Sequence, residues 1–241
     1  MSLPETLVAI PAYNEAAAIA RVATGIREAV PEAAVLVIDD GSEDATPAVL
    51  RDEGIPCARH PCNLGYGRAI QTAVRCARQR GYRTLVTADG DGQHSPEDVR
   101  ALFLASRESA SDYLIGSRYL ASGDYSSAPL DRRLGMQLFS WITGRLGPTR
   151  VYDTTSGLKA IRGTVFDALL RWHFVDFHAE AIVYLASLGY RIGEHPVGSR
   201  PRRSGVSMYT PLASISYPVK TLTMTLLAVA HARLERRRSA R

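Results

Sequence analysis

Three cysteines, two tryptophans and five phenylalanines are few for a chain of 241 residues. Cys57, Cys62 and Cys76 are odd in number and lack the paired spacing of a zinc site, so they read as reduced thiols in a cytoplasmic setting. His60 lies between the first two, but this cluster lacks a fourth ligand and makes a poor zinc site. No stretch reaches the roughly 18–20 clean apolar residues of a membrane span. Residues Met1–Glu5 show no basic-then-apolar signal segment. Neither G-x-G-x-x-G nor GK[ST] occurs, which excludes the usual dinucleotide and P-loop readings. Internal repeats and low-complexity linkers are also missing.

What remains is an ordinary globular composition, 46% apolar and 22% charged, long enough for one sizeable core. The net charge of +5 is unevenly spread, because residues 191–241 hold ten Lys/Arg against two Asp/Glu. Such an excess suits nucleic acid, anionic lipid or phosphorylated ligands. The aromatics that interleave basic residues in nucleic-acid binders are lacking from this tail, so no nucleic-acid partner is expected. Leu212, Ile215, Val219, Leu222, Leu226 and Val229 recur at helical spacing, ahead of Arg233, Arg236, Arg237, Arg238 and Arg241. That pattern predicts an amphipathic helix and basic tail over 211–241. The helix would lie on an anionic membrane surface or, alternatively, pack on the domain's own core.

Along the chain, apolar runs alternate with helical patterns. Strands are predicted at 6–11, 34–38, 55–59, 83–88, 113–116 and 191–196. Helices are predicted at 16–30, 44–53, 68–80, 96–106, 134–146, 164–171 and 178–188. The stretch 153–159 is rich in turn residues. Alternation of this kind implies an α/β fold, a doubly wound, mostly parallel sheet with helices on both faces. In such sheets ligands bind beyond the carboxyl ends of the strands, where every polar motif of this chain falls.

The strongest of these motifs is Asp89–Gly90–Asp91. An Asp-x-Asp pair alone is a weak signal, but this one follows a buried strand directly. Two carboxylates there repel unless something positive sits between them. A hard divalent cation, Mg²⁺ or Mn²⁺, is the natural occupant. Gly90 and Gly92 let the backbone approach a ligand, and Gln93 and His94 stand ready to complete or orient the shell. Asp39–Asp40–Gly41–Ser42 ends the second strand and offers acceptors for a base or ribose. Tyr13 and Glu15 offer the same after the first, while Asn63–Gly67 resembles a phosphate cradle only loosely.

The ordered series PAYNE (11–15), VIDDGS (37–42), NLGYG (63–67), ADGDGQH (88–94), GSRY (116–119) and DTTSGLKA (153–160) resembles glycosyltransferase family 2. Within it the chain is similar to the polyprenyl-phosphate (dolichyl-phosphate) mannose and glucose synthases, from about Thr6 to Val229. The resemblance implies a GT-A fold over 1–210, with a nucleotide-binding half to about 120 and an acceptor half beyond it. It implies inverting transfer of a hexose from GDP-mannose or UDP-glucose to a polyprenyl phosphate, with Mg²⁺ or Mn²⁺. Pro11, Tyr13, Glu15, Asp39 and Asp40 would hold the nucleoside, with Gly67 and Gly90 also on the donor side. Asp89, Asp91 and Gln93 would meet the metal and diphosphate. Arg118 matches an arginine near phosphate groups. Ser156 and Gly157 fall in an acceptor-side turn. Arg200, Arg202, Arg203, Ser204 and Gly205 match a basic segment that closes over the donor. This chain has Met208 where many relatives carry lysine, and His178 where they often carry an acid.

The attacking group decides whether a base is needed. A phosphate monoester has its second pKa near 6, so a lipid phosphate is largely ionised at neutral pH. It needs positive neighbours, such as Arg118, rather than a base. A soluble hydroxyl acceptor, the alternative on the same fold, needs a carboxylate, and Asp153, Asp176 and Glu180 are the candidates. His178 is a further one. The enzyme would then be cytoplasmic or peripheral on the cytoplasmic face of the membrane.

Overall fold

The computed structural model describes residues 4–120, 151–171, 177–198 and 211–239, together with 137, 140–141 and 143–145. The first half alternates as the apolar pattern requires. Its elements are β1 (Thr6–Ala12), α1 (Ile19–Ala29), β2 (Ala34–Asp39), α2 (Thr46–Asp52), β3 (Cys57–Arg59), α3 (Tyr66–Gln79), β4 (Thr84–Thr87), α4 (Pro96–Glu108) and β5 (Tyr113–Ser117). After the partly described region follow β6 (Lys159–Arg162), a 3₁₀ turn (Gly163–Val165), α5 (Phe166–Arg171), α6 (Ala179–Leu188), β7 (Ile192–Pro196) and α7 (Pro211–Ser239). The predicted helix at 134–146 is described only at residues 137, 140–141 and 143–145, which are helical.

Seven strands form one sheet in the order β3-β2-β1-β4-β6-β5-β7. All neighbours are parallel except β6, which runs antiparallel to both β4 and β5. β1 is buried along its whole length, as a central parallel strand covered on both faces must be. One apolar cluster packs Leu7, Leu36, Leu85 and Ile161 against α3, α5 and α6. The other packs Val8, Val37, Val86 and Leu158 against α1 and α4. Successive residues of a strand thus enter opposite layers. α1 joins its layer through Ile19, Val22, Ala23 and Ile26, spaced as one helical face.

Several boundaries differ from the sequence pattern for local reasons. α1 starts at Ile19 rather than at residue 16, because Ala18 and Ile19 first turn back to the Glu15 carbonyl. Thr46–Pro47 reads in the sequence as the cap and first turn of α2, but Thr46 does not cap it. Its hydroxyl instead accepts the Glu15 N–H at 2.9 Å, tying α2 to the end of β1. α4 begins as expected, with a reciprocal capping box between Ser95 and Asp98.

α7 corrects the expected apolar stripe. It packs on α6, with Ala228 and Ala232 in the same apolar cluster as the α6 residues, and Thr221, Thr225 and Val229 are also buried. Leu222 and Leu226 face outward, 37% and 54% exposed, while Val229 alone of the described stripe residues turns inward. Glu235 fastens the helix by accepting the Tyr184 hydroxyl and pairing with Arg171 at 3.1 Å. Leu212, Ile215 and Val219 have no described side chains.

Candidate active site

Parallel pairing sends the carboxyl ends of β1, β2, β4, β5 and β7 to one edge of the sheet, and the reversed β6 begins at that edge. Tyr13, Asp39, Asp89, Arg118 and Lys159 are thereby collected from distant parts of the chain.

The β1 and β2 ends are stitched together by side chains. Asn14 accepts the Glu43 and Asp44 N–H groups, and its own N–H is donated to the Ser42 hydroxyl at 3.0 Å. Asp39 is fully buried, accepts the Ser42 N–H at 2.9 Å and pairs with Arg59 at 3.1 Å. Asp40 is committed inside the protein. It meets His60 Nδ1 at 2.7 Å and accepts the Leu64 and Gly65 N–H groups. The expected ribose acceptor is therefore the anchor of the 63–65 loop. The same bonds turn two of that loop's N–H groups toward Asp40, so the loop is no phosphate cradle through them. Gly41 permits the close contact, since a Cβ there would strike the Cys62 backbone and its φ is +73°. Gly67 is buried in the first turn of α3, and Tyr13 is 36% exposed at the rim.

Asp89 emerges from β4 with its side chain 30% exposed. Its carboxylate occupies the space that a side chain at Gly157 would need, because a Cβ built there collides with both carboxylate oxygens. The 153–160 turn is thus shaped around Asp89. Its end is pinned by the Thr87 hydroxyl, which donates to the Gly157 carbonyl at 2.7 Å. Asp91 is 5% exposed and accepts the Gln93 N–H at 2.9 Å, which fixes the turn after it. His94 Nε2 lies 3.8 Å from Asp89, and burial holds the imidazole below its ordinary pKa despite that neighbour.

No group of three or more His, Cys, Asp or Glu suited to a metal is present among the described residues. Two carboxylates on one strand end still fit a divalent ion, since Mg²⁺ is commonly held by one or two carboxylates with substrate phosphates filling the rest.

Arg118 and Asp153 are held by one another. The guanidinium makes a two-pronged contact with Asp153, Nε to Oδ2 at 2.7 Å and Nη2 to Oδ1 at 2.9 Å, and also reaches Thr155. Burial alone would raise the Asp153 carboxyl, but the Arg118 hydrogen bonds and charge outweigh it and hold its pKa low. A carboxylate so held is a poor base, and a guanidinium so held is largely committed. Glu194 of β7 braces the pair by accepting the Tyr152 and Asp153 N–H groups at 2.8 Å each. Burial raises the Glu194 pKa.

A polar nest lies under Asp89 on the α3 and α6 side. Glu180, in the first turn of α6, is 1% exposed, and His178 precedes it as the cap residue. Burial pushes the His178 imidazole down to about 3, and its ring lies 5.8 Å from that of Tyr66. The Tyr66 hydroxyl is buried, and burial and then the Asp89 charge raise its pKa well above the ordinary range. Lys159 is 2% exposed, with Nζ 5.9 Å from the Tyr66 ring centre and no hydrogen-bond partner among the described residues. Burial pulls its pKa down to about 8, while Asp89, Glu180 and Asp153 favour its charge. Sequence reasoning singled out neither Lys159 nor Glu194. The available signal was a charged residue inside an otherwise apolar strand, as in LKAI. Asp176, Arg200, Arg202, Arg203, Ser204, Gly205 and Met208 lie outside the described residues.

A family model described as "Glycosyl transferase family 2" matches residues 7–170. An undecaprenyl-phosphate mannosyltransferase of Micrococcus luteus is 32% identical over 83% of this chain and 86% of its own. A UDP-N-acetylglucosamine–dolichyl-phosphate N-acetylglucosaminyltransferase of Methanococcus voltae is 28% identical over 78% and 82%. Among solved structures, glucosyl-3-phosphoglycerate synthase of Mycobacterium tuberculosis, in complex with Mn²⁺, UDP-glucose and phosphoglyceric acid, superposes with a TM-score of 0.68. It covers 93% of this chain and 79% of that one at 19% identity, a likeness of fold.

Proposed function

The chain belongs to glycosyl transferase family 2, and from that premise we propose that it transfers a hexose from a nucleoside-diphosphate sugar to a polyprenyl phosphate, with inversion at the sugar carbon. The observation that carries this reading is the seating of Asp89 against Gly157, which joins the donor end of β4 to the acceptor-side turn. The polyprenyl-phosphate acceptors named for relatives at about this distance support the choice of acceptor.

In this reading Pro11, Tyr13, Glu15 and Asp39 receive the nucleoside, and Asp89 and Asp91 hold Mg²⁺ or Mn²⁺ with Gln93 beside them. The donor in this reading is GDP-mannose or UDP-glucose. A bound cation supplies charge stabilisation as negative charge grows on the departing diphosphate. The lipid phosphate oxygen attacks the sugar carbon while the bond to the diphosphate breaks. Being already ionised, it hands no proton to the protein. That agrees with an Asp153 carboxylate engaged by Arg118 rather than poised as a base. The Arg118–Asp153 pair instead fixes the wall of the acceptor side. Arg202, Arg203 and Ser204 are assigned to the donor phosphates by resemblance alone.

Attachment to an anionic membrane surface through α7 is part of the proposal. Leu222, Leu226, Leu227 and Leu234 are exposed on it, with Arg233 and Arg236–Arg238 exposed toward its end. No helix among the described residues is long and apolar enough to cross a membrane. Thermal-shift titration with GDP, UDP and their sugars, with and without Mn²⁺, tests the donor site. One nucleotide is expected to raise Tm in a Mn²⁺-dependent manner that D91A abolishes, and no response to any of them would contradict the proposal.

A further inference from the structure

Lys159 begins β6, which otherwise behaves as a core strand. Leu158 and Ala160 enter one apolar layer and Ile161 the other. Lys159 shares the Ile161 face, where an aliphatic side chain would fill the space without desolvating a charge. The charge is not there for the neighbouring helices. α3 begins at Tyr66 and α6 just after His178, and helix N-termini disfavour a cation. Nor is it there chiefly for Asp153, which Arg118 already grips with two hydrogen bonds. Asp89 and Glu180 are the other carboxylates whose charge favours its own. Its strand partner on β4 is Thr87, two residues ahead of Asp89, so the ammonium is rooted beside the point where Asp89 leaves the sheet.

We propose that Lys159 is a resident counter-charge of the donor site: its buried ammonium, rooted beside the end of β4, occupies the negative field of Asp89 until a divalent cation arrives. The inference rests on Asp89 and Asp91 as the metal carboxylates. Lys159 acts through Asp89 and needs no contact with substrate. Removing the charge takes away a repulsion felt by an incoming divalent ion, an effect that replacing a side chain with a purely structural role would not have.

The test is Mn²⁺ alone, titrated by calorimetry into the full chain without nucleotide. Lys159→Met and Lys159→Gln, each checked for fold by circular dichroism, are expected to bind Mn²⁺ roughly tenfold more tightly than wild type. Lys159→Arg is expected to stay near wild type. Unchanged or weaker Mn²⁺ binding by a folded Lys159→Met or Lys159→Gln protein overturns the proposal. Absence of Mn²⁺ binding by wild type overturns it together with the metal reading. A wild type that binds Mn²⁺ but transfers no sugar contradicts the proposed function alone, and the affinity comparison still decides on Lys159.

Discussion

At the scale of single residues, the site depends on one missing side chain and several buried charges. Gly157 leaves room for the Asp89 carboxylate, and alanine there would drive a methyl group into both oxygens. Gly157→Ala is therefore expected to keep its far-UV dichroism and lose the Mn²⁺-dependent nucleotide shift in Tm. A wild-type shift would show that Asp89 does not need this seat. His178 gives a pH signature. Burial lowers its folded-state pKa from 6.5 to about 3, so the folded chain holds it neutral and the unfolded chain protonates it first. Its contribution to stability is complete above the unfolded value and is lost as pH falls toward the folded one. The slope is at most about 1.4 kcal/mol per pH unit. His178→Gln is expected to show a shallower fall in Tm than wild type between pH 7 and pH 5. Parallel curves would contradict the burial of a neutral ring. These features were only partly legible in the sequence. Asp89 and Asp91 stood out through their place after a buried strand. The Arg118–Asp153 pairing did not, because it joins two motifs whose distance in space no local pattern encodes.

At the scale of elements, α7 shows what periodicity leaves undecided. Leucines at helical spacing announced a helix, but they did not say which face would turn inward. The buried face is built from threonine and alanine, small enough for close approach to α6. The Thr225 hydroxyl donates to the Thr221 carbonyl at 2.7 Å, so its polarity is satisfied within the helix. Replacing Leu222 and Leu226 together with serine is expected to leave stability within about 0.5 kcal/mol and to reduce sedimentation with phosphatidylglycerol vesicles. Ala228→Leu, on the buried face, is expected to cost about 1–3 kcal/mol by urea unfolding. A serine pair as costly as Ala228→Leu would mean that the leucine face is packed. β6 makes a related point. The sequence pattern predicts turn residues over 153–159 and no strand after them, and the antiparallel insertion of β6 between β4 and β5 is a long-range choice that a four-residue strand cannot advertise.

For the whole molecule, strand–helix alternation implies a mostly parallel sheet, and the carboxyl-edge rule brings the polar motifs together from the sequence alone. The internal wiring of that edge came only with the fold. Asp40 anchors a loop, Glu194 braces a turn, and Lys159 is buried on the strand that pairs with the end of β4. Each is a charged group committed to another part of the protein, and composition alone treats such groups as surface. The central claim, hexose transfer onto a lipid phosphate, is tested most directly by incubating the chain with Mn²⁺, undecaprenyl phosphate and radiolabelled GDP-mannose or UDP-glucose, then extracting into organic solvent. Label is expected in the lipid phase with one of the donors, and is expected to vanish with Asp91→Ala or on removal of Mn²⁺. Donor consumed only with a hydroxyl acceptor, or lipid labelling indifferent to Asp91, would contradict the account.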